Sequence, residues 1–170
     1  MNAALAVVFA ALAAASMPSS AGEKAMTQSP AAKAYECKPP ADWTRKPGSD
    51  GGERFSKGRL SISVTRYGPG TAYRRPEDFL AFLATMKKAE PAGTVEVSGK
   101  KVERLARSYE RSLGGDDALP RKDWVYEEVV LLRLKDGFWA LRFQSTSRMY
   151  PEKPKGLPEW EAFLKVFRLR

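Results

Sequence analysis

Histidine is absent from this sequence of 170 residues, and cysteine occurs once, at Cys37. Without histidine the chain cannot assemble a Ser-His-Asp triad, a Cys-His nucleophile or a histidine metal site. A single cysteine cannot form an intramolecular disulfide bond. We therefore interpret Cys37 as a thiol without a catalytic role, with an intermolecular disulfide as the alternative.

Long hydrophobic runs are also missing. The longest uninterrupted one, Ala3 to Ala15, is shorter than the roughly 20 apolar residues that a membrane-spanning helix needs. It has the length of the apolar region of a secretory signal, and Ser19-Ser20-Ala21 supplies small residues for a signal peptidase. We expect a signal peptide over 1–21, cleaved after Ala21 or, as a second choice, after Ala15. No lysine or arginine precedes the run, which an upstream start codon would explain, and an alanine-rich core helix is the alternative.

Acidic residues are fewer than basic ones. The sequence has 29 Lys and Arg against 20 Asp and Glu, which gives a net charge of +9. This excess favours an anionic partner such as an anionic lipid, an acidic protein or a nucleic acid. The alternative is a basic surface that only keeps the protein soluble.

The chain is organised as a signal peptide, an arm and one domain. Residues 22–40 mix small, polar and proline residues without periodicity, which predicts a flexible arm. The whole sequence has 43% hydrophobic and 29% charged residues, which is the composition of a globular protein. We expect a single domain over 41–170.

Three segments combine alternating apolar and polar residues with a glycine-containing turn, which is the pattern of a β-hairpin. They span residues 53–68, 94–112 and 124–145. The expected turns are Lys57-Gly58, Gly99-Lys100 and Asp136-Gly137.

Two further segments have apolar residues at helical spacing. In residues 74–90, Pro76 suits the first helical position, and Phe79, Leu83 and Met86 are expected to pack on the sheet. The C-terminal segment has an apolar stripe that consists of Trp160, Phe163, Leu164 and Phe167. We expect this stripe to pack on the sheet face that carries Trp139, Leu141 and Phe143.

The order of these elements predicts an α+β fold. It consists of an antiparallel sheet of about six strands built from three hairpins. One helix lies between the first and second hairpins, and a C-terminal helix packs on the sheet.

Several segments together resemble the PsbP-like family, which has the fold of the photosystem II extrinsic protein. They include G-x-L-S-I-S-V, P-E-D-F-L-x-F-L, V-E-V-S-G-K-K-V-E-R, D-G-F-W-A-L-R-F and E-x-F-L-K-V-F-R, between about Trp43 and Arg170. The fold is shared with a Ran-binding nuclear-import factor and many exported bacterial proteins. The resemblance implies this architecture and a non-enzymatic binding or accessory role, and it transfers no functional residue.

The acidic residues do not form a recognisable catalytic or metal-binding motif. Glu127 and Glu128 are adjacent on a predicted strand, so their side chains point to opposite sides of the sheet. The loop with Asp116-Asp117 lacks the alternating oxygen ligands of a calcium site, and the segment GSDGG at 48–52 lacks the ending of a P-loop. We therefore expect no catalytic residue, cofactor or metal, and treat an enzyme that uses carboxylates alone as an alternative.

Cations and aromatic residues lie close together on two predicted strands. The candidate binding residues are Arg104, Arg107, Arg111, Trp124, Tyr126 and Arg142. Such side chains can stack on bases or hold anions. The alternative is that the aromatic residues cover the edge of the core and the arginines are solvated.

Together these observations predict an exported, monomeric, non-catalytic accessory or binding module of the cell envelope, periplasmic or extracellular. Its mature chain has no transmembrane segment, and its partner is a protein, an envelope component or a small ligand. A carboxylate-only enzyme is one alternative. Another is a binder of anionic polymer or nucleic acid through a basic face, although an exported protein rarely meets nucleic acid.

Overall fold

The structure, a computed structural model, describes residues 34–48, 50–113, 121–150 and 153–170. The expected signal peptide, most of the expected arm and the Asp116-Asp117 loop lie outside the described residues.

The described chain is built on an antiparallel sheet of seven strands. The strand order is β2-β3-β4-β8-β7-β6-β5, and a separate short pair joins β1 to β9. The strands are β1 (Tyr35–Glu36), β2 (Thr44–Pro47), β3 (Glu53–Lys57), β4 (Leu60–Tyr67), β5 (Glu90–Val97), β6 (Lys100–Leu113), β7 (Arg121–Leu134), β8 (Gly137–Ser147) and β9 (Arg168–Leu169). The helices are α1 (Pro76–Ala84) and α2 (Leu157–Val166).

The predicted α+β class and antiparallel sheet are confirmed, but the predicted strand count and hairpin layout are wrong. The three hairpins exist as β3-β4, β5-β6 and β7-β8. In addition β2 extends the first hairpin, and β8 pairs with β4 to join the hairpins into one sheet. The sequence of β2, TRKP, is exposed throughout and has no apolar alternation. Its pairing with β3 is made by backbone hydrogen bonds, which any sequence can form, so the sequence did not predict this strand.

The two helices lie on opposite faces of the sheet. Phe138 and Ala140 of β8 pack in the cluster that contains Phe79 and Leu83 of α1. Their neighbours on β8, which include Trp139, pack in the cluster that contains the buried residues of α2. Because successive side chains of a strand point to opposite faces, we name the two sides the α1 face and the α2 face.

Helix α1 is shorter than the sequence predicts. Phe79 and Leu83 are buried, as expected. Met86 was expected beside them, but it lies beyond Ala84, the last residue of the helix, and is 56% exposed. The Thr85 hydroxyl donates a hydrogen bond to the Phe82 carbonyl at 2.7 Å. This bond satisfies one of the carbonyls that a helix end leaves free.

Helix α2 buries the predicted stripe. Trp160, Phe163, Leu164 and Phe167 are all at most 1% exposed. The helix ends at Val166, so Phe167 enters the core from extended backbone. Its ring stacks on Tyr35 at 5.1 Å between centroids.

The first described residues belong to the fold. Strand β1 pairs antiparallel with β9, and Tyr35 is 4% exposed. The sequence places these residues in the flexible arm, whereas the structure packs residues 34–37 against the α2-face core. Among the described residues, no helix is long and apolar enough to cross a membrane.

Candidate functional site

Helix α1 covers only half of the α1 face. It packs over the end that carries Phe138 and Ala140. Farther along β8 the same side of the strand carries Arg142 and Gln144, and the register aligns Arg142 with Ser63 and Ser63 with Arg54. We name this second half the arginine face. Among the described side chains, its charged residues are Lys46, Arg54, Arg59, Arg107, Arg111, Asp123, Glu127 and Arg142.

Glu127 lies at the centre of the arginine face and is fully buried. Arg142 donates from Nε to Glu127 Oε1 at 2.8 Å, and Gln144 donates from Nε2 to the same oxygen at 3.1 Å. Arg107 donates from Nε to the other carboxylate oxygen. One carboxylate therefore holds two guanidinium groups and an amide, which satisfies its buried charge.

Arg107 also fixes the end of α1. Its Nη1 donates to the carbonyl oxygens of Leu83 and, at 3.1 Å, Lys87. A cation at the C-terminal end of a helix also interacts favourably with the helix dipole. Arg107 is therefore used inside the fold, and its side chain is only 2% exposed.

Arg142 differs from Arg107 because it reaches the surface. Its side chain is 23% exposed, and its guanidinium lies 5.8 Å from the centre of the Phe79 ring. Burial alone would lower the pKa of Arg142, but the charge and hydrogen bonds of Glu127 outweigh it and the pKa is raised. Arg142 is thus a fixed, permanently charged group at the border between α1 and the arginine face.

Asp123 repeats this arrangement at the far end of the same face. It is buried and accepts a hydrogen bond from Arg59 Nη1 at 3.0 Å, while Arg111 Nη2 lies 3.9 Å away. The side chains of Arg59 and Arg111 are 46% and 43% exposed. Within the described residues the buried Nε of Arg111 has no hydrogen-bond partner. A second carboxylate therefore positions two arginines that remain accessible.

The arginine face has an excess of positive charge. Among the described side chains, the five arginines exceed the two carboxylates there by 5 − 2 = 3 charges, and Lys46, which β2 places opposite Arg54, adds one more. The fifth, Arg54, is exposed and bonds to the Ser61 hydroxyl at 3.1 Å, with no carboxylate partner among the described residues. Asp50 is on the same side of the sheet but bonds to Thr65 and Tyr67, at the end near α1.

On the α2 face, one cluster has more carboxylates than arginines. Buried Glu128 accepts hydrogen bonds from Arg104 at 2.7 Å, the Trp160 indole at 2.8 Å and the Tyr126 hydroxyl at 2.6 Å. Arg104 also lies 3.4 Å from Glu161, so two carboxylates share one arginine. Burial, together with the hydrogen bond to Glu128, raises the pKa of Tyr126. This cluster joins α2 to the sheet.

The structure therefore divides the six candidate residues into two groups. Arg107, Arg111 and Arg142 lie on the arginine face, whereas Arg104 and Tyr126 lie on the α2 face. Trp124, two residues before Tyr126 on β7, also lies on the α2 face, and it contacts the Tyr150 ring, with the centroids 4.9 Å apart. Arg54 and Arg59 were missed because β3 and β4 join β8 only in the folded sheet. Asp123 and Glu127 of β7 were missed because their arginine partners lie on other strands or turns.

A fourth buried carboxylate, Glu53, lies near the cysteine. Glu53 accepts hydrogen bonds from Tyr35 and from Arg45, whose Nε is 3.1 Å away. Burial raises the pKa of the nearby Cys37 thiol to about 11, with Arg45 opposing this shift and Glu53 adding to it. Cys37 is therefore protonated at neutral pH and is a poor nucleophile.

Each buried carboxylate among the described residues contacts an arginine: Glu53, Asp123, Glu127 and Glu128. Within the same residues, no group of three or more Cys, Asp or Glu is placed to hold a metal ion. The chemistry that the arginine face offers is the binding of anions by fixed guanidinium groups.

Comparison with known proteins identifies structural similarity at low sequence identity. No protein-family profile and no curated protein match the sequence. A crystal structure from Bacteroides thetaiotaomicron aligns with a TM-score of 0.48 and 11% identity over 80% of this chain and 45% of that one, so the chain spans less than half of that protein. LpqN of Mycobacterium tuberculosis, a protein involved in cell envelope biogenesis, aligns with a TM-score of 0.43 and 13% identity over 79% of this chain and 82% of LpqN. Similarity at this level carries no functional argument.

Proposed function

We propose that this chain is an exported, non-catalytic binding module of the cell envelope, and that the arginine face holds an anionic group of its partner. The observation that carries this proposal is that Asp123 and Glu127, the two carboxylates of the arginine face, are each paired with two arginines. A single ion pair is neutral, whereas a pair of arginines on one carboxylate keeps a net positive charge in a fixed position.

The support for binding is the fixed geometry of the guanidinium groups. Before any ligand arrives, Asp123 accepts a hydrogen bond from Arg59 and lies 3.9 Å from Arg111, and Glu127 accepts hydrogen bonds from Arg142. A ligand then meets side chains that have already lost part of their conformational freedom, which lowers the entropic cost of binding. Planar guanidinium groups also match the oxygens of carboxylates and phosphates.

A non-catalytic role is supported by the pairing of the buried carboxylates with arginines. The buried carboxylates of the described residues neutralise arginines and are not arranged as a free acid and base. A carboxylate-only enzyme needs a free acid and a free base at one reacting bond.

The expectation of export depends on the apolar run before Ser19-Ser20-Ala21 in the sequence. We also propose that the fold is PsbP-like, since the segments that resemble that family fall on α1, α2 and the hairpin strands.

Chromatography on immobilised heparin, a soluble sulfated polyanion, tests the proposal. The protein is produced as residues 22–170. We expect the double variant Arg54→Ala/Arg111→Ala to elute at clearly lower salt than the wild type, because it loses two accessible cations of the arginine face.

The matched control is Arg66→Ala/Arg170→Ala, which loses the same charge from exposed ion pairs outside the arginine face. We expect its elution to change little. Equal shifts for the two double variants would show that only net charge matters, and the arginine face would then not be a site.

A further inference from the structure

Helix α1 exposes two large apolar side chains. Phe82 is 53% exposed and Met86 is 56% exposed. Met86 follows Phe82 by four residues, and its backbone N–H donates to the Leu83 carbonyl at 3.3 Å, so both side chains lie on one side of the helical turn. The Tyr73 ring lies 5.5 Å from the Phe82 ring and continues this surface. We name Tyr73, Phe82 and Met86 the apolar ridge.

The apolar ridge and the arginine face are on the same side of the molecule. Tyr73 contacts Tyr67 of β4, with the centroids 5.2 Å apart, and Tyr67 lies on the α1 face. Arg142 of the arginine face lies beneath Phe79 of the same helix. The ridge therefore stands beside the arginines and does not project from the opposite side.

The charges near the ridge are mostly positive. Lys87 and Lys88 follow Met86 directly, and both are exposed. The acidic residues of α1, Glu77 and Asp78, are in its first turn, and each is paired with an arginine: Glu77 with Arg133 and Asp78 with Arg75. Glu90 is exposed at the start of β5, so the two lysines have one acidic neighbour in sequence.

We propose that the α1 side of this protein docks on the surface of a bilayer that contains anionic lipids, with the ridge in the interface and the arginine face on the phosphates. This inference rests on the proposed function, because it identifies the anionic group as a lipid headgroup. A soluble polyanion would explain the arginines but not the exposed Phe82 and Met86. The excess of arginine over carboxylate on the arginine face, together with the two lysines after the ridge, is complementary to an anionic bilayer.

Vesicle sedimentation tests the proposal with residues 22–170 of the chain. The vesicles contain phosphatidylglycerol and phosphatidylcholine in equal parts, or phosphatidylcholine alone. We expect binding to the anionic vesicles only. The variant Phe82→Ser/Met86→Ser should bind them about tenfold more weakly because it loses the apolar contact, while it elutes from heparin like the wild type.

The matched control is Val166→Ser, which removes a 42% exposed apolar residue of α2 on the other side of the sheet. It should sediment like the wild type. Far-ultraviolet circular dichroism and urea unfolding check that the variants fold, as we expect for substitutions of exposed side chains.

The bilayer inference is wrong, and the proposed function stands, if heparin binding depends on Arg54 and Arg111 but the protein does not bind the vesicles. The same conclusion follows if Phe82→Ser/Met86→Ser binds the vesicles like the wild type. If heparin binding does not depend on these arginines, the proposed function is wrong, and the bilayer inference with it.

Discussion

At the scale of single residues, arginine neutralises the buried charge of this protein. A carboxylate removed from water is costly unless it is paired and hydrogen-bonded. Glu53 and Glu128 each have one arginine, and these pairs are part of the core around Tyr35 and Trp160. Asp123 and Glu127 each have two, and only there does the arginine exceed what neutralisation requires.

The variant Glu127→Gln tests the structural share of this network. It leaves Arg107 and Arg142 without their counter-charge in a buried position, so we expect a loss of about 3–5 kcal/mol in the free energy of unfolding. Urea denaturation measures it. Glu110→Gln is the control, because Glu110 forms an exposed pair with Lys122, and its loss should stay below about 1 kcal/mol. Similar losses for both variants would contradict the buried network.

The Cys37 thiol gives a test based on pH. Its pKa of about 11 is raised above the ordinary value by burial, so the folded state keeps the proton to higher pH than the unfolded state. The contribution to stability is therefore complete below the unfolded pKa and is lost as pH rises through about 9 to 11. Alkylation by iodoacetamide should be slow at pH 8 in the native protein and fast in urea. Equally fast alkylation of both states at pH 8 would show an exposed, ordinary thiol.

At the scale of elements, helical periodicity predicted both helices and their buried residues better than their ends. The spacing of Trp160, Phe163 and Leu164 is a property of neighbouring residues, so it can be read from the sequence. The exposure of Met86 depends on where α1 ends, and that depends on Arg107, which binds the last carbonyls from another strand. Tertiary contacts of this kind have no local signal.

For the strands as well, features set by neighbouring residues could be predicted, whereas features set by residues distant in sequence could not. Alternation and the turn residues predicted three hairpins, but the candidate set grouped Arg104 with Arg107 and Arg111, although Arg104 points to the other side of β6. Strand order could not be predicted, because the pairing of β4 with β8 joins residues far apart in sequence. That pairing brings Arg54 into line with Arg142, so the place of Arg54 and Arg59 in the candidate site depended on it.

The variant Phe163→Ala tests whether α2 is a core element. Phe163 is 1% exposed and contacts the rings of Phe55 and Trp160 at 5.8 and 6.1 Å. We expect a loss of about 3–5 kcal/mol in the free energy of unfolding, measured by urea denaturation. Phe82→Ala, at a half-exposed position of α1, should cost much less. A loss below about 1 kcal/mol for Phe163→Ala would indicate a docking surface instead of a core.

At the scale of the whole molecule, the two sides of the sheet are specialised. The α2 side is closed by a fully buried aromatic stripe and by a cluster in which acids outnumber arginine. The α1 side has a shorter helix, an open half and an excess of positive charge. Stability and binding are therefore expected to respond to different substitutions. Arg54→Ala/Arg111→Ala should change the free energy of unfolding by less than about 1 kcal/mol in urea denaturation, because Arg54 is exposed, Arg111 is only half-buried and Asp123 keeps its hydrogen bond from Arg59.

The pairing of β1 with β9 has a consequence for the connectivity of the chain. The Arg170 backbone N–H donates to the Ala34 carbonyl at 3.1 Å, so the last residue lies beside the first one described. A linker of a few glycines would span this gap. A circular permutant that joins Arg170 to Ala34 and opens the chain at Gly58, an exposed turn glycine with a φ of 56°, should therefore keep the same sheet. A permutant with the near-ultraviolet circular dichroism spectrum of the wild type would show that the sheet does not require the connection through Gly58.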